Sequence, residues 1–175
     1  TINPALSPEE VARKKRDPLL LRLNGSDELS ILNNKGKYTL VVCTFSGRSQ
    51  VGIGSNFDDV LKNFKVKGTL DDAATRAWKV SKLLRDGLFQ GPQRGRKFDS
   101  YVFHDRYKSL VTIGSFDSPN DPRIAYFSRL FGAKVHPGTN GRPYITGESI
   151  VVPGDRPETI IFDPKPRLIE VPHIR

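Results

Sequence analysis

The segment that decides the fold is Ser109-Leu-Val-Thr-Ile-Gly-Ser-Phe116, which is followed by the helix-opening sequence Ser118-Pro-Asn-Asp-Pro122. Apolar and β-branched residues dominate the first eight positions, as is typical of a β-strand. Proline suits the first turn of a helix, and Ile124, Phe127 and Phe131 then recur at helical spacing. The sequence therefore predicts a strand that leads directly into an amphipathic helix.

Three segments upstream extend this pattern to the order strand, helix, hairpin, helix. Tyr38-Thr-Leu-Val-Val-Cys-Thr-Phe45 predicts a first strand, and residues 70–86 predict a helix that Gly87 ends. Residues 98–103 predict a strand that pairs with the one at Ser109 as a hairpin. The apolar stripe of the helix consists of Ala73, Ala77, Val80 and Leu84. A closing strand is the one element that this order lacks.

Two flanking segments differ in character from this central domain, which we place at residues 37–135. We predict that residues 1–36 form an N-terminal helical extension, because Ser7-Pro-Glu-Glu10 matches a capping box and Pro18 should end the helix that it opens. Residues 136–175 contain a proline in almost every apolar run and predict an extended arm with short edge strands. We expect this arm to lie on the domain or on a neighbouring molecule.

Charge is concentrated in the central domain. The whole chain carries a net charge of +9, and residues 37–135 contain 17 basic and 9 acidic residues. A basic domain attracts anionic partners. The apolar runs are far shorter than the roughly 20 residues that span a bilayer, so we predict no membrane span. Because the chain begins at Thr1 and has no methionine, we interpret it as a processed or excised piece of a longer protein.

No residue pattern in the sequence indicates catalysis. His104, His136 and His173 are too far apart for a local metal motif, and the single Cys43 lies in an apolar run typical of a buried residue. Gly52-Ile-Gly-Ser-Asn-Phe57 lacks the lysine and the further glycine of a phosphate-binding loop. The sequence therefore predicts a protein that is not an enzyme and that has neither a metal nor a cofactor.

Residues 37–135 resemble the SPOR domain family (sporulation-related repeat), whose members bind bacterial peptidoglycan. The resemblance rests on the first strand, the alanine-rich helix and the sequence Ile113-Gly114-Ser115-Phe116 before a capped helix. It implies an α+β fold, a ferredoxin-like βαββαβ sandwich with two helices on one face of an antiparallel sheet. It also implies ligand binding on the open face and a place in the cell envelope or periplasm, with the cytoplasm as an open alternative.

Strand alternation indicates what the open face contains. Alternation along the first and third strands, together with the hairpin, predicts the candidate ligand-binding residues. These are Thr39, Val41, Leu110, Thr112, Tyr101, Phe103 and Arg106. Cys43 should share this face. The face is largely apolar, whereas the resemblance leads us to expect Gln at the place of Val41 and a polar residue at the place of Leu110 in glycan-binding members. Because bare apolar surfaces usually mark contacts, we expect the N-terminal segment, the arm or another subunit to cover this face.

Two classes of function remain open at this point. The first is a binding or assembly module whose partners are peptidoglycan glycan strands or protein subunits, with an oligomer as one alternative. The second is a basic nucleic-acid-binding domain, in which Arg94 to Lys97 join Arg106 and Lys108 beside Tyr101, Phe103 and Tyr107. Its third strand lacks the aromatic signature of RNA-recognition domains, so we rank it second.

Overall fold

A computed structural model of the chain describes residues 18–25, 27–46, 69–89, 93–105 and 107–172. The helices are α1 (Pro18–Asn24), α2 (Thr69–Asp86) and α3 (Pro122–Phe131), with a 3-10 helix at Ile31–Asn33. The strands are β1 (Tyr38–Ser46), β2 (Ser100–His104), β3 (Lys108–Phe116), β4 (Lys134–His136), β5 (Tyr144–Thr146), β6 (Ser149–Val152), β7 (Glu158–Ile161) and β8 (Arg167–Glu170). The predicted helix at residues 7–17, the glycine-containing segment at 52–57, Arg106 and His173 lie outside the described residues.

Four strands form one antiparallel sheet in the order β2-β3-β1-β8. With α2 between β1 and β2 and α3 after β3, this is the ferredoxin-like arrangement, and the predicted α+β fold is confirmed. The closing strand is β8, inside the segment predicted as an arm. The sheet-forming part of the chain therefore continues beyond residue 135, and the hairpins β4–β5 and β6–β7 are inserted before the last strand.

Both long helices contribute to one core on the same face of the sheet. The predicted stripe of α2, from Ala73 to Leu84, is buried and belongs to the same cluster as Val42 of β1 and Phe131 of α3. The ring of Phe98, just before β2, lies 5.2 Å from that of Phe131 and 6.0 Å from that of Phe127. Edge-to-face aromatic contacts of this kind fix how α3 lies against the rest of the core.

The second inserted hairpin extends the core and covers the edge of β1. Ile150 of β6 pairs with Ile160 of β7, and both side chains are buried in the main cluster. Beyond β7, the backbone N–H of Asp163 donates to the carbonyl of Val42 at 2.8 Å, and its carboxylate accepts from the backbone N–H and hydroxyl of Thr44. Asp163 thus replaces strand pairing where β8 no longer runs beside β1.

A glycine bulge in β3 adjusts the pairing of the two central strands. Tyr38 pairs with Phe116 and Leu40 with Ile113, so Gly114 and Ser115 lie opposite Thr39 alone. Gly114 has φ +79°, and a Cβ at this position would lie 2.3 Å from the ring of Phe116. Glycine is therefore required here both by conformation and by space.

A second irregularity in β1 corrects one predicted side-chain direction. Val41 pairs with Thr112 and Cys43 with Val111, so Val42 is an extra residue on β1. The strand alternation shifts by one position at this bulge. Cys43 was predicted on the second face of the sheet, but it lies in the main core together with Val42.

We predict that Gly114→Ala lowers the free energy of unfolding by about 2–4 kcal/mol, because a Cβ forces an unfavourable φ and overlaps the Phe116 ring. Urea unfolding followed by circular dichroism measures this. The control is Gly154→Ala, at a glycine without positive φ and with no neighbour within 4 Å of a Cβ. It should change the value by less than about 0.5 kcal/mol. Equal effects of both substitutions would contradict the role of the bulge.

Candidate functional site

The second face of the sheet is the face away from α2 and α3. One row of residues crosses all four strands on this face, because Tyr101 pairs with Thr112, Thr112 with Val41, and Val41 with Arg167. Phe103 and Leu110 form the next row. The register thus brings together the candidate residues of β1, β2 and β3 that the sequence analysis named.

Most of these candidate residues are closed to solvent. Thr39, Val41 and Thr112 are fully buried and Leu110 is nearly so, whereas Tyr101 and Phe103 at the margin are half-buried. The guanidinium of Arg85 also covers the ring of Tyr101, at 4.8 Å from its centroid. The centre of the face therefore offers no open surface for a glycan or another large ligand.

The N-terminal segment is held against the sheet by contacts of its residues 27–36. Leu29 accepts a hydrogen bond from the backbone N–H of Val102 at 2.7 Å, which places the segment along the free edge of β2. The side chain of Asn34 donates to the carbonyl of Gly114 at 3.0 Å. Ile31 and Val41 are fully buried outside the main core, and Leu110 beside them is nearly so. These contacts agree with the expectation that the chain itself helps to cover the second face.

α1 is fastened to the far end of β2 by one side chain. The amide of Asn24 donates to the carbonyl of His104 at 2.9 Å and accepts from its backbone N–H at 2.8 Å. An amide that satisfies both polar groups of a residue replaces a neighbouring strand at that point. The N-terminal segment is therefore attached to β2 at two places, near Val102 and at His104.

Two buried threonines on the second face differ in how their hydroxyl groups are satisfied. The hydroxyl of Thr39 lies 3.1 Å from the carbonyl oxygen of Ile113 and 2.9 Å from that of Gly114, so it donates at the glycine bulge. The hydroxyl of Thr112 has no hydrogen-bond partner among the described residues. Leaving a buried hydroxyl unpaired destabilises the fold by about 1–3 kcal/mol.

The basic residues proposed as one nucleic-acid patch lie at opposite ends of β2. Arg94 to Lys97 precede the strand and Lys108 follows it, and five residues of strand span about 15 Å. The guanidinium of Arg96 lies over the rings of Phe98 and Tyr126 and donates to the Tyr126 hydroxyl. The structure therefore divides the predicted patch, and Arg96 fastens its loop to α3.

Burial shifts the pKa of two reactive side chains among the described residues, Cys43 and His104. Burial raises the pKa of the Cys43 thiol to about 12, so the sulfur stays protonated at neutral pH. His104 Nδ1 lies 2.9 Å from the hydroxyl of Ser109, which is buried, and burial lowers the pKa of His104. Within the described ranges, no group of three His, Cys, Asp or Glu side chains could hold a metal ion.

Among the described helices, none is long and apolar enough to cross a membrane.

The largest unexplained feature is an exposed apolar surface that the sequence analysis did not identify. We call Val135 of β4, Ile145 of β5 and Ile161 of β7 the hairpin surface; their exposed fractions are 68, 69 and 66%. Val135 and Ile145 are cross-strand partners, and Ile161 lies against Gly147, two residues beyond Ile145. These residues stand in short apolar runs between prolines and glycines, so no periodicity distinguished them from ordinary edge strands.

Within the described parts of the chain, β4 and β5 form a two-stranded sheet that no third strand joins. On its other face, the ring of His136 stacks on that of Tyr144 at 5.0 Å, and its Nε2 lies 2.7 Å from the hydroxyl of Thr146. All six hairpin residues are exposed except His136, which is half-buried. Two-stranded hairpins without a third strand or a supporting layer are marginally stable in water. This hairpin is therefore a surface that a partner would stabilise.

Comparison of the chain with protein-family models, with curated proteins and with solved structures gives no significant match.

We predict opposite effects for two matched substitutions on the second face. Thr112→Val removes an unpaired buried hydroxyl and should raise the free energy of unfolding by about 1 kcal/mol. Thr39→Val removes a hydroxyl that two carbonyl groups share and should lower it by about 1–2 kcal/mol. Urea unfolding of both variants measures the difference. A loss of stability in Thr112→Val as large as that in Thr39→Val would show that the Thr112 hydroxyl has a partner.

Proposed function

We propose that this protein is a non-catalytic, SPOR-like assembly module of the cell envelope, and that it binds other protein subunits through the hairpin surface. In the simplest case those subunits are further copies of this chain. The observation that carries the proposal is the exposure of Val135 and Ile145 on the two-stranded β4–β5 hairpin, with the exposed Ile161 of β7 beside them at Gly147. The place in the cell envelope rests on the resemblance to the SPOR family.

The energetics of the hairpin surface favour a contact with protein. Each of its three side chains is about two-thirds exposed, so full burial of each would contribute about 1–2 kcal/mol. Immobilising two molecules costs at least about 4 kcal/mol, so these side chains alone give weak binding. A strand added to the edge of β5 would supply backbone hydrogen bonds as well. The β5 sequence Tyr144-Ile-Thr146 is uncharged, so two copies can pair antiparallel without charge repulsion.

Two alternatives fit the structure less well. Peptidoglycan binding on the second face would require the buried residues Thr39, Val41, Leu110 and Thr112 to become accessible. Nucleic-acid binding would have to use two separate basic segments at the ends of β2. Sedimentation with isolated cell-wall sacculi tests the first alternative, and salt-dependent binding to single strands tests the second.

We predict that the full chain self-associates in sedimentation-equilibrium experiments between about 1 and 100 μM. The double variant Val135→Thr and Ile145→Thr should associate at least about tenfold more weakly, because it removes two apolar side chains from the contact. Threonine keeps the β-branched shape that strands favour, so the monomer should stay folded.

The matched control is Tyr107→Thr, which removes a 76% exposed ring at the β2–β3 turn, outside the inserted hairpins. It should associate like the unmodified chain. The assembly role would be contradicted if the protein stayed monomeric at every concentration and bound sacculi or single-stranded nucleic acid with saturation.

A further inference from the structure

A partly open pocket of about 780 Å³ lies where α2 ends. The described residues that line it come from the end of α2 with the residues after it, the loop before β2, and the end of β6. They are Leu83, Asp86, Gly87, Leu88, Phe89, Arg94, Gly95, Val151 and Pro153. Its volume is in the range of pockets that bind small molecules.

Two glycines allow the loop before β2 to lie directly against the end of α2. Gly87 has φ +75° and Gly95 has φ +82°, and the backbone N–H of Gly95 donates to the carbonyl of Gly87 at 2.9 Å. A Cβ on Gly87 would lie 3.0 Å from the carbonyl oxygen of Gly95. Phe98 then donates to the carbonyl of Leu84 at 3.0 Å. The loop that carries Arg94 is therefore held by backbone contacts.

The opposite wall is also held in place. Ile150 and Val152 of β6 are buried in the main core, so the backbone between them is fixed and Val151 faces away from that core towards the pocket. Arg76 of α2 forms an ion pair with Glu158 of β7, which fastens the same hairpin to the helix. The pocket thus has walls that do not depend on a ligand to form.

The lining combines an apolar surface with one uncompensated positive charge. Leu88 is 56% exposed at the pocket, although it is a large aliphatic side chain. Asp86 is compensated by an ion pair with Lys82 at 3.3 Å. Across the described part of the chain, by contrast, Arg94 has neither an ion-pair partner nor a side-chain hydrogen bond. Lys97 on the same loop adds positive potential at this side.

We propose that this pocket binds an anionic amphiphile, with its aliphatic chain on Leu83, Leu88, Phe89 and Val151 and its carboxylate or phosphate head on Arg94. Arginine binds both head groups through two parallel hydrogen bonds. The apolar chain replaces water at the exposed surface of Leu88. The described residues that line this pocket differ from those of the hairpin surface, and Val151 and Ile161 lie on the same face of the β6–β7 hairpin. The two proposals are therefore tested with separate variants.

Isothermal titration of the full chain with dodecanoate and with dodecyl phosphate, below their micelle concentrations, tests the proposal. We expect saturable one-to-one binding of at least one of them, and which one binds identifies the head group. Acetate, which lacks the chain, and dodecyltrimethylammonium, which reverses the charge, should bind at least about tenfold more weakly.

Arg94→Gln should weaken binding of the anionic amphiphile by about 10- to 100-fold. Arg156→Gln removes the same charge from an exposed turn outside the pocket and should leave the affinity unchanged. The hairpin variant with threonine at 135 and 145 should also bind normally, so a failure of the assembly proposal would not affect this result. Absence of saturable binding up to about 1 mM, equal binding of the cationic amphiphile, or equal effects of both arginine substitutions would overturn the proposal.

Discussion

The structure depends on the pairing of β1 with β3 at the glycine bulge. The carbonyl of Gly114 accepts from Thr39 of β1 and from Asn34 of the N-terminal segment, and its N–H donates to the carbonyl of Asp99 before β2. Residues 34–39, Asp99 and Gly114 itself, which are three separate parts of the chain, therefore meet at one backbone unit. Because only glycine fits this position, the sheet, its N-terminal cover and the approach to β2 all depend on the absence of a single Cβ.

The sequence predicted the elements of the sheet layer because their local signals agree with the tertiary packing. The stripe from Ala73 to Leu84 faces the core as predicted, and α3 begins after Asp121, whose side chain accepts from the N–H of Arg123. Where local secondary-structure preference and tertiary packing agree, the element can be predicted from the sequence. α1, in contrast, begins at Pro18 and was not predicted, whereas the predicted helix at residues 7–17 lies outside the described residues. Proline is equally suited to a first turn, so the local signal was ambiguous.

The properties that sequence could not predict depend on pairing between distant segments. The direction of Cys43 follows from a bulge that alternation along one strand does not reveal. The closing strand was hidden because two hairpins separate it from α3. The hairpin surface and the pocket at Arg94 are defined by exposure, which becomes visible only when all the neighbours of a side chain are known. The candidate functional sites therefore lie at the periphery of the domain and not on the second face of the sheet, where the sequence predicted them.

The late position of β8 has a consequence for how the protein is made. β1 pairs with β8 through residues about 130 positions apart, which slows completion of the sheet relative to its local hairpins. About fifty residues separate the end of β3 from β8, so a ribosome needs about 3–10 s to add them. During this interval one edge of β1 has no strand beside it, and a polypeptide terminated before residue 167 would keep that edge permanently. Incomplete translation products of this chain therefore present a strand edge to which another polypeptide can add.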